Sequence, residues 1–364
     1  MTVLLKVVGA PGAPAPLIER AHELDVLAGG VAGLAAGRSA VIVLDAPAGL
    51  GKTALLDQAA ELAARSGQRV RRATPGPLER HFSFGVIRTL LEGPLRAAPA
   101  AERARALDGV AATAGELLLE GTTPGADSTT LVAHSVLWLC SALAERRPLA
   151  LFVDDAHWAD RRSLEVLAYL AGRSEDVPLL LVVAARGDDP DAAADLLSLL
   201  GAARSATVLH PQPLTDAGAC ALIERLAPGT PDDIAADCRR VVAGNPWLLG
   251  ELGRLLAEHG PSAICSSSFD GPPMTGVVRR RVAELSPRDR RILEALAVVG
   301  DTAAPHVVAA VAGVGVGELG PARDALVAAG LLVRGTGAGV RGAPAASDVA
   351  AAVRGAGALE VGGQ

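Results

Sequence analysis

The chain alternates between short, almost uninterrupted apolar runs and longer stretches with a helical rhythm. "SAVIVLDA" (39–46), "PLALFVDDA" (148–156) and "VPLLLVVAAR" (177–186) are apolar at nearly every position, the pattern of strands buried on both faces. "QRVRRAT" and "SATVLHPQPL" supply two weaker strands. "LIERAHELDVLAGGVAGLAA" (17–36) places Leu17, Leu24, Leu27, Val31 and Leu34 at helical spacing. "KTALLDQAAELAARSG" predicts a helix with Gly67 as C-cap. "TLVAHSVLWLCSALAERR" (130–147), "DRRSLEVLAYLAGR" with Asp160 as N-cap, and "DDPDAAADLLSLLGAA" predict three more. Residues 74–128 read as helices with a loop, "EGTTPGADSTT". Strands alternating with helices predict a parallel sheet covered on both faces.

After Leu214 the strand signal stops, and the pattern divides the chain into segments. Residues 1–16 read as a flexible tail, 17–213 as an α/β core, and 214–264 as three short helices. "CSSSFDGPPMTG" (265–276) reads as a linker. Residues 277–334 give further helices, with a break at Ser286–Pro287 and a short apolar end, "AGLLVRG". The Gly/Ala-rich tail 335–364 reads as loosely ordered.

Composition narrows the function classes. At 364 residues, half of them hydrophobic but only 2% aromatic, the core has to be built from Leu, Val and Ala. A net charge of −6 argues against a surface built to coat nucleic acid. Cys140, Cys220, Cys238 and Cys265 are far apart and read as buried free thiols, in keeping with a reducing cytoplasm. The N-terminus lacks the form of a signal peptide, and no run reaches the ~20 apolar residues of a membrane span. Of 34 basic residues only Lys6 and Lys52 are lysines.

Lys52 falls in "APAGLGKT" (46–53), between a predicted strand and a predicted helix. Such a junction aims backbone N–H groups and a helix N-terminus at one point, which suits a phosphate. The usual pattern is GxxxxGK[ST], with Ala46 here replacing the first glycine. That position sets the turn leaving the strand, so alanine is tolerated where φ is negative. Gly49 and Gly51 permit close approach, Lys52 reaches the β- and γ-phosphates, and Thr53 offers a hydroxyl to Mg²⁺. The expected cradle runs Ala46, Pro47, Ala48, Gly49, Leu50, Gly51, Lys52, Thr53 and Ala54.

A second element lies about a hundred residues on, where "LALFVDDAHWAD" ends a strand in Asp154–Asp155. The first carboxylate is placed to hold Mg²⁺ and the second to orient an attacking water. Aspartate at the second place is one methylene shorter than glutamate. Arg186 ends the strand 177–186, and if that strand neighbours the loop strand its guanidinium faces the γ-phosphate. Catalytic roles therefore fall to Lys52, Asp155 and Arg186. In "GNPWLL" Pro246 opens a helix. His157 and Trp158 are expected to play a supporting part. Arg279, Arg280, Arg281, Arg288, Arg290 and Arg291, interleaved with Glu284 and Asp289, read as a solvated helix face.

With these pieces in order, the chain resembles the ATPase module of STAND-type regulators, in particular the large ATP-binding LuxR-type transcriptional regulators. The matching stretches are "LIERAHELDVL", "APAGLGKTALL", "RHFSFGVIRTLLEGPL", "LFVDDAHWADRRSLEVLAYLA", "LLLVVAARGDD" and "AGNPWLLGEL", over roughly residues 17–335. The resemblance implies a P-loop NTPase of the AAA-like kind, followed by an α-helical lid and a winged-helix-like segment. It implies that Leu17, Ile18 and Arg20 lie near the adenine and that Pro246 packs near the nucleotide. It also implies ATP or ADP with Mg²⁺ as ligands, a nucleotide-set conformational switch, and self-association or a protein partner. The helical-repeat region and helix-turn-helix that such regulators carry have no counterpart in this sequence, so DNA binding by this chain alone is not expected. The leading reading is a slowly hydrolysing switch ATPase. A nucleotide-binding interaction module without useful turnover, an initiator-like DNA-associated ATPase and, more remotely, a metabolic kinase remain as alternatives.

Overall fold

The computed structural model describes residues 16–121, 129–145, 147–173, 175, 177–187, 193–260, 282, 285–299, 305–328, 332–333 and 341–342. The expected N-terminal tail up to residue 15, the linker 265–276, the cluster Arg279–Arg281, Cys265 and most of the tail 335–364 lie outside the described residues.

Five parallel strands form the central sheet in the order β2-β3-β4-β1-β5: β1 (Ala40–Asp45), β2 (Arg69–Ala73), β3 (Leu149–Val153), β4 (Leu179–Ala185) and β5 (Ala206–Leu209). Every residue of β3 and β4 is buried. Alternate residues serve opposite faces, as strand geometry requires. Val41, Val43, Leu151, Val153, Leu181 and Val183 pack into one core layer, while Ile42, Leu44, Phe152, Leu180 and Val182 pack into the other. The second layer is closed by α1 (Ala21–Ala35) and α2 (Lys52–Arg65). The first is closed by α3 (Gly85–Ala97), the small α4 (Ala100–Ala106) and α5 (Ala112–Gly115), α6 (Thr129–Ala144), α7 (Arg161–Gly172) and α8 (Ala194–Gly201). The fold is thus α/β, with a parallel five-stranded sheet flanked by helices in the P-loop NTPase arrangement.

The first helix is shorter than its periodicity predicts. Residues 17–20 form a turn, with Glu19 at φ 54° and Arg20 fully inside the fold, and α1 begins at Ala21. Tertiary hydrogen bonds from Glu19 and Arg20, described below, hold this turn against local helical preference. Cys140 and Cys238 are buried, and burial pushes the Cys140 thiol up to about 12, whereas Cys220 is only half-buried.

Asp160 caps α7 through Ser163 N (2.9 Å) and, from its buried position, also accepts from Phe84 N (2.8 Å) and Gly85 N (3.0 Å) at the start of α3. One carboxylate thereby satisfies the N-termini of two helices. It also holds Phe84 at φ 60°, a left-handed conformation unusual outside glycine.

Beyond the sheet, α9 (Asp216–Leu226), α10 (Asp232–Val241) and α11 (Pro246–His259) enclose their own core of Ala219, Ile223, Cys238, Leu249 and Leu252. Further on, α12 (Pro287–Val299), α13 (Pro305–Ala312) and α14 (Leu319–Ala328) surround Ile292, Leu293, Val308 and Leu326. A short antiparallel ladder follows, β6 (Leu332–Val333) with β7 (Arg341–Gly342). Within the tail expected from 335, Arg341 and Gly342 pair with Val333 and Leu332. No helix among the described residues is long and apolar enough to cross a membrane.

Replacing Asp160 by Ala strands three backbone donors. We expect a loss of about 3 kcal/mol, from a helix cap of roughly 1 kcal/mol and two unsatisfied buried N–H groups of roughly 1 kcal/mol or more each. Urea denaturation would show this as a lower midpoint with an unchanged slope.

Candidate functional site

The loop after β1 and the first turn of α2 line a cavity of about 640 Å³ at the carboxyl edge of the sheet. Ala48, Gly49, Leu50, Gly51, Lys52, Thr53 and Ala54 form one wall. Leu17, Ile18, Leu214, Leu222 and Trp247 form an apolar region, with Arg20, Arg225 and Pro246 beside it, and Asp155 and Arg186 also face the cavity. Ala46, Pro47 and Asp154 are not part of the lining. Ala46 is buried, and Asp154 is only 4% exposed.

Lys52 Nζ donates to the carbonyls of Ala46 and Pro47, the latter at 2.9 Å. Asn245 Nδ2 donates to Ala48 O (2.9 Å), Trp247 N to Gly49 O (3.2 Å), and Arg20 Nη2 to Leu50 O (3.2 Å). From Ala46 to Leu50, each successive carbonyl thus has a donor. Gly49 (φ 80°) and Gly51 (φ 89°) make the turns that this needs, and Ala46 is absent from the positive-φ residues. A loop whose carbonyls are spoken for can offer its N–H groups to an anion at the N-terminus of α2.

The donors come from remote segments. Arg20 also donates to Gln212 O and to Glu19 O (2.8 Å). Glu19 accepts from Thr215 N (2.9 Å) and from the Thr215 hydroxyl, at the start of α9. Asn245 caps α11 through Trp247 N (3.1 Å) and Leu248 N (3.2 Å) while its amide grips Ala48. Gly244 (φ 71°) precedes it, and a Cβ there would lie 2.5 Å from Leu214 O, so only glycine fits. Of four non-glycine residues with positive φ among the described residues, Glu19, Asp155 and Ala243 all flank this cavity or its holding segments. Such a concentration of unfavourable backbone is what functional sites tend to show.

Asp155 (φ 46°) begins the turn Ala156–Trp158 after β3, and its N–H donates to Asp154 Oδ1 (3.0 Å). β4 lies between β3 and β1, which brings Arg186 beside both the acid pair and the loop. Asp45, the last residue of β1, accepts from Gly187 N (2.8 Å) and so fixes the chain just after Arg186. His157 is buried between these groups. Burial, reinforced by the charges of Arg186, Lys52 and Arg80, drives its pKa down to about 3, so the ring is neutral. Arg80 stacks on Trp158 at 4.5 Å and donates to His157 O (3.0 Å). No cluster of three or more His, Cys, Asp or Glu that could hold a metal by themselves occurs among the described residues.

Sequence reasoning did not anticipate Arg20, Glu19 or Asn245 as holders of the loop, nor Leu214, Leu222, Arg225, Asp57 and Trp247 in the lining. Of these, only Asn245 had a legible signal, as a cap residue before Pro246.

The sheet order and the loop between β1 and α2 are those of the P-loop NTPase fold. Residues 16–183 match the AAA ATPase domain family, and residues 275–339 match a domain of unknown function (DUF8462). No curated protein matches the chain by sequence. Among solved structures it is similar to a Walker-type ATPase of Pyrococcus abyssi, at 15% identity and a TM-score of 0.56, covering 93% of this chain and 96% of that one. It is similar also to the Orc1 protein of Aeropyrum pernix, solved in complex with DNA, at 16% identity and a TM-score of 0.51, covering 95% of each. A STAND protein with a tetratricopeptide-repeat sensor from Pyrococcus horikoshii matches at 13% identity over 88% of this chain and 41% of that one, but its TM-score of 0.39 is too low to establish a shared fold.

The hydrogen bonds from Thr215 hold Glu19 below the usual carboxylate range. A lowered folded-state pKa means that the Glu19–Thr215 tie contributes fully above the ordinary glutamate value of about 4.3 and is lost as pH falls through the lowered one. Amide hydrogen exchange at Thr215 should accelerate across that acid window in the wild type. In Glu19→Gln it should already be fast at neutral pH.

Proposed function

We propose that the chain is an ATP-dependent switch of the STAND or AAA-like kind, hydrolysing ATP slowly and regulating transcription or signalling through a nucleotide-dependent change of conformation. The observation that carries this reading is the ownership of the loop's carbonyls. Two are held by the N-terminus of α11 and one by Arg20, so an anion drawn into the loop acts on the lid helices and on the segment before α1 together. An ATPase built only for turnover has less need of such a tie.

In this reading the adenine lies against Leu17, Ile18 and the neighbouring apolar wall, with Pro246 close by. The N–H groups from Ala48 to Ala54 and the side chain of Lys52 bind the phosphates. Lys52 leaves its two loop carbonyls to do so, and Arg186 senses the γ-phosphate. The Thr53 hydroxyl, in the cavity lining, and the Asp154 carboxylate, buried outside it, would be the hard oxygen donors for Mg²⁺. When bound, Mg²⁺ would neutralise charge developing on the phosphate oxygens. Asp155 orients the attacking water. ATP and ADP then favour different lid positions, with self-association or a protein partner as the output. The resemblance to LuxR-type regulators and a cytoplasmic location belong to the same proposal.

A binding module without useful turnover is the second reading, favoured by the short reach of Asp155. Phosphate release measured beside ATP binding separates the two, since tight binding with turnover no higher than that of Asp155→Ala supports the module.

Lys52→Ala should weaken ATP binding by about a hundredfold, since hydrogen bonds from a charged donor contribute roughly 1.5–3 kcal/mol each. Calorimetric titration measures this, and wild-type affinity in the variant would remove the site assignment.

A further inference from the structure

His157 is buried beside the site without a partner suited to its chemistry. Its side chain is wholly inaccessible, and neither ring nitrogen has a hydrogen-bond partner among the described residues. Leaving both nitrogens unpaired is costly unless a working state of the protein supplies the partners. Nδ1 lies 3.9 Å from Asp155 Oδ1, about 1 Å beyond hydrogen-bond reach. Arg186 Nε is also buried and also unpaired among the described residues. The turn carrying His157 packs against β4, which ends one residue before Arg186.

For Asp155 and Arg186 the chemistry sets which ring nitrogen carries the proton. Burial first, and then the positive charges of Arg186, Lys52 and Arg80, disfavour the protonated ring, so the ring is not itself a cation. A neutral imidazole has one donor and one acceptor. An ionised carboxylate can only accept, and a guanidinium N–H can only donate. The proton therefore belongs on Nδ1, the nitrogen near Asp155, which leaves the lone pair of Nε2 for a donor such as Arg186 Nε–H.

We infer that His157 is a positioning residue that joins the water-orienting acid to the γ-phosphate sensor, donating from Nδ1 to Asp155 and accepting at Nε2 from Arg186 Nε–H when the site closes on nucleotide. The inference rests on the roles given to Asp155 and Arg186 in the proposed function. It answers the problem of the short acid, because a carboxylate anchored through one oxygen presents the other in a fixed direction. It also makes the acid's orientation depend on where the sensor arginine sits. The γ-phosphate then draws Arg186 and, through the ring, aligns Asp155.

The test uses the full chain labelled with ¹⁵N-histidine, together with a non-hydrolysable ATP analogue and Mg²⁺. Nitrogen chemical shifts of His157 should show the proton on Nδ1 and a bare Nε2 in the complex. This readout is decisive whether or not the chain turns ATP over. In parallel, His157→Phe should lower kcat by about tenfold or more, with KM for ATP held within about threefold. His157→Asn, whose amide N–H can replace the Nδ1 donor, should recover part of the loss. A proton on Nε2, wild-type turnover in His157→Phe, or a variant in which KM absorbs the whole effect would each overturn the link. Should His157→Phe not fold, the tautomer in the wild type decides alone. Failure of the wild type to bind ATP overturns the proposed function and the link with it. Normal binding and turnover that ignore His157 overturn the link alone.

Discussion

The site depends on the direction in which five carbonyl groups point. Between Ala46 and Leu50 each backbone oxygen needs a donor if the loop is to hold one conformation with its N–H groups left for an anion. Lys52, Asn245, the Trp247 amide and Arg20 provide them. These donors lie as much as two hundred residues from the loop in sequence, so the loop's conformation is a property of the assembled fold rather than of the motif. The sheet makes the assembly possible. Strands β1, β3 and β4, apolar on both faces, place the loop, the acid pair and Arg186 at one edge.

Electrostatics sharpen the arrangement. Lys52, Arg186 and Arg80 all bear on a neutral, buried His157. Positive charge concentrated in a low-dielectric pocket favours an anion arriving there and disfavours any further cation. The ring between them remains neutral under that field, which is the condition for it to act as a hydrogen-bond donor and acceptor at once.

Much of this was legible in the sequence. The near-continuous apolar runs identified the buried strands, because a parallel sheet covered on both faces leaves no polar side to alternate with. The loop "APAGLGKT", the acids 154–155 and Arg186 announced themselves by residue type at strand ends. What escaped was set by tertiary contact. Residues 17–20 carry helical spacing yet form a turn, because Arg20 and Glu19 are claimed by Leu50, Gln212 and Thr215. Asp160 was readable as a cap for α7, but its hold on Phe84 and Gly85, seventy-five residues or more upstream, has no local signature. The pairing of Arg341 and Gly342 was hidden for the same reason, since a ladder of two residues on each side is made by its partner and not by propensity.

The two edges of the sheet differ in a way that bears on assembly. β2 borders the sheet on one side and carries Arg69, Arg71 and Arg72 within five residues. A second copy approaching that edge to add a strand would bring the same three charges against them, and strand edges armed in this way resist extension. β5, on the other side, is only four residues long and gives little to build on. Neither border invites the sheet to grow from one molecule into the next. Copies of this chain that come together are thus steered away from the borders of this sheet and toward its helices and loops.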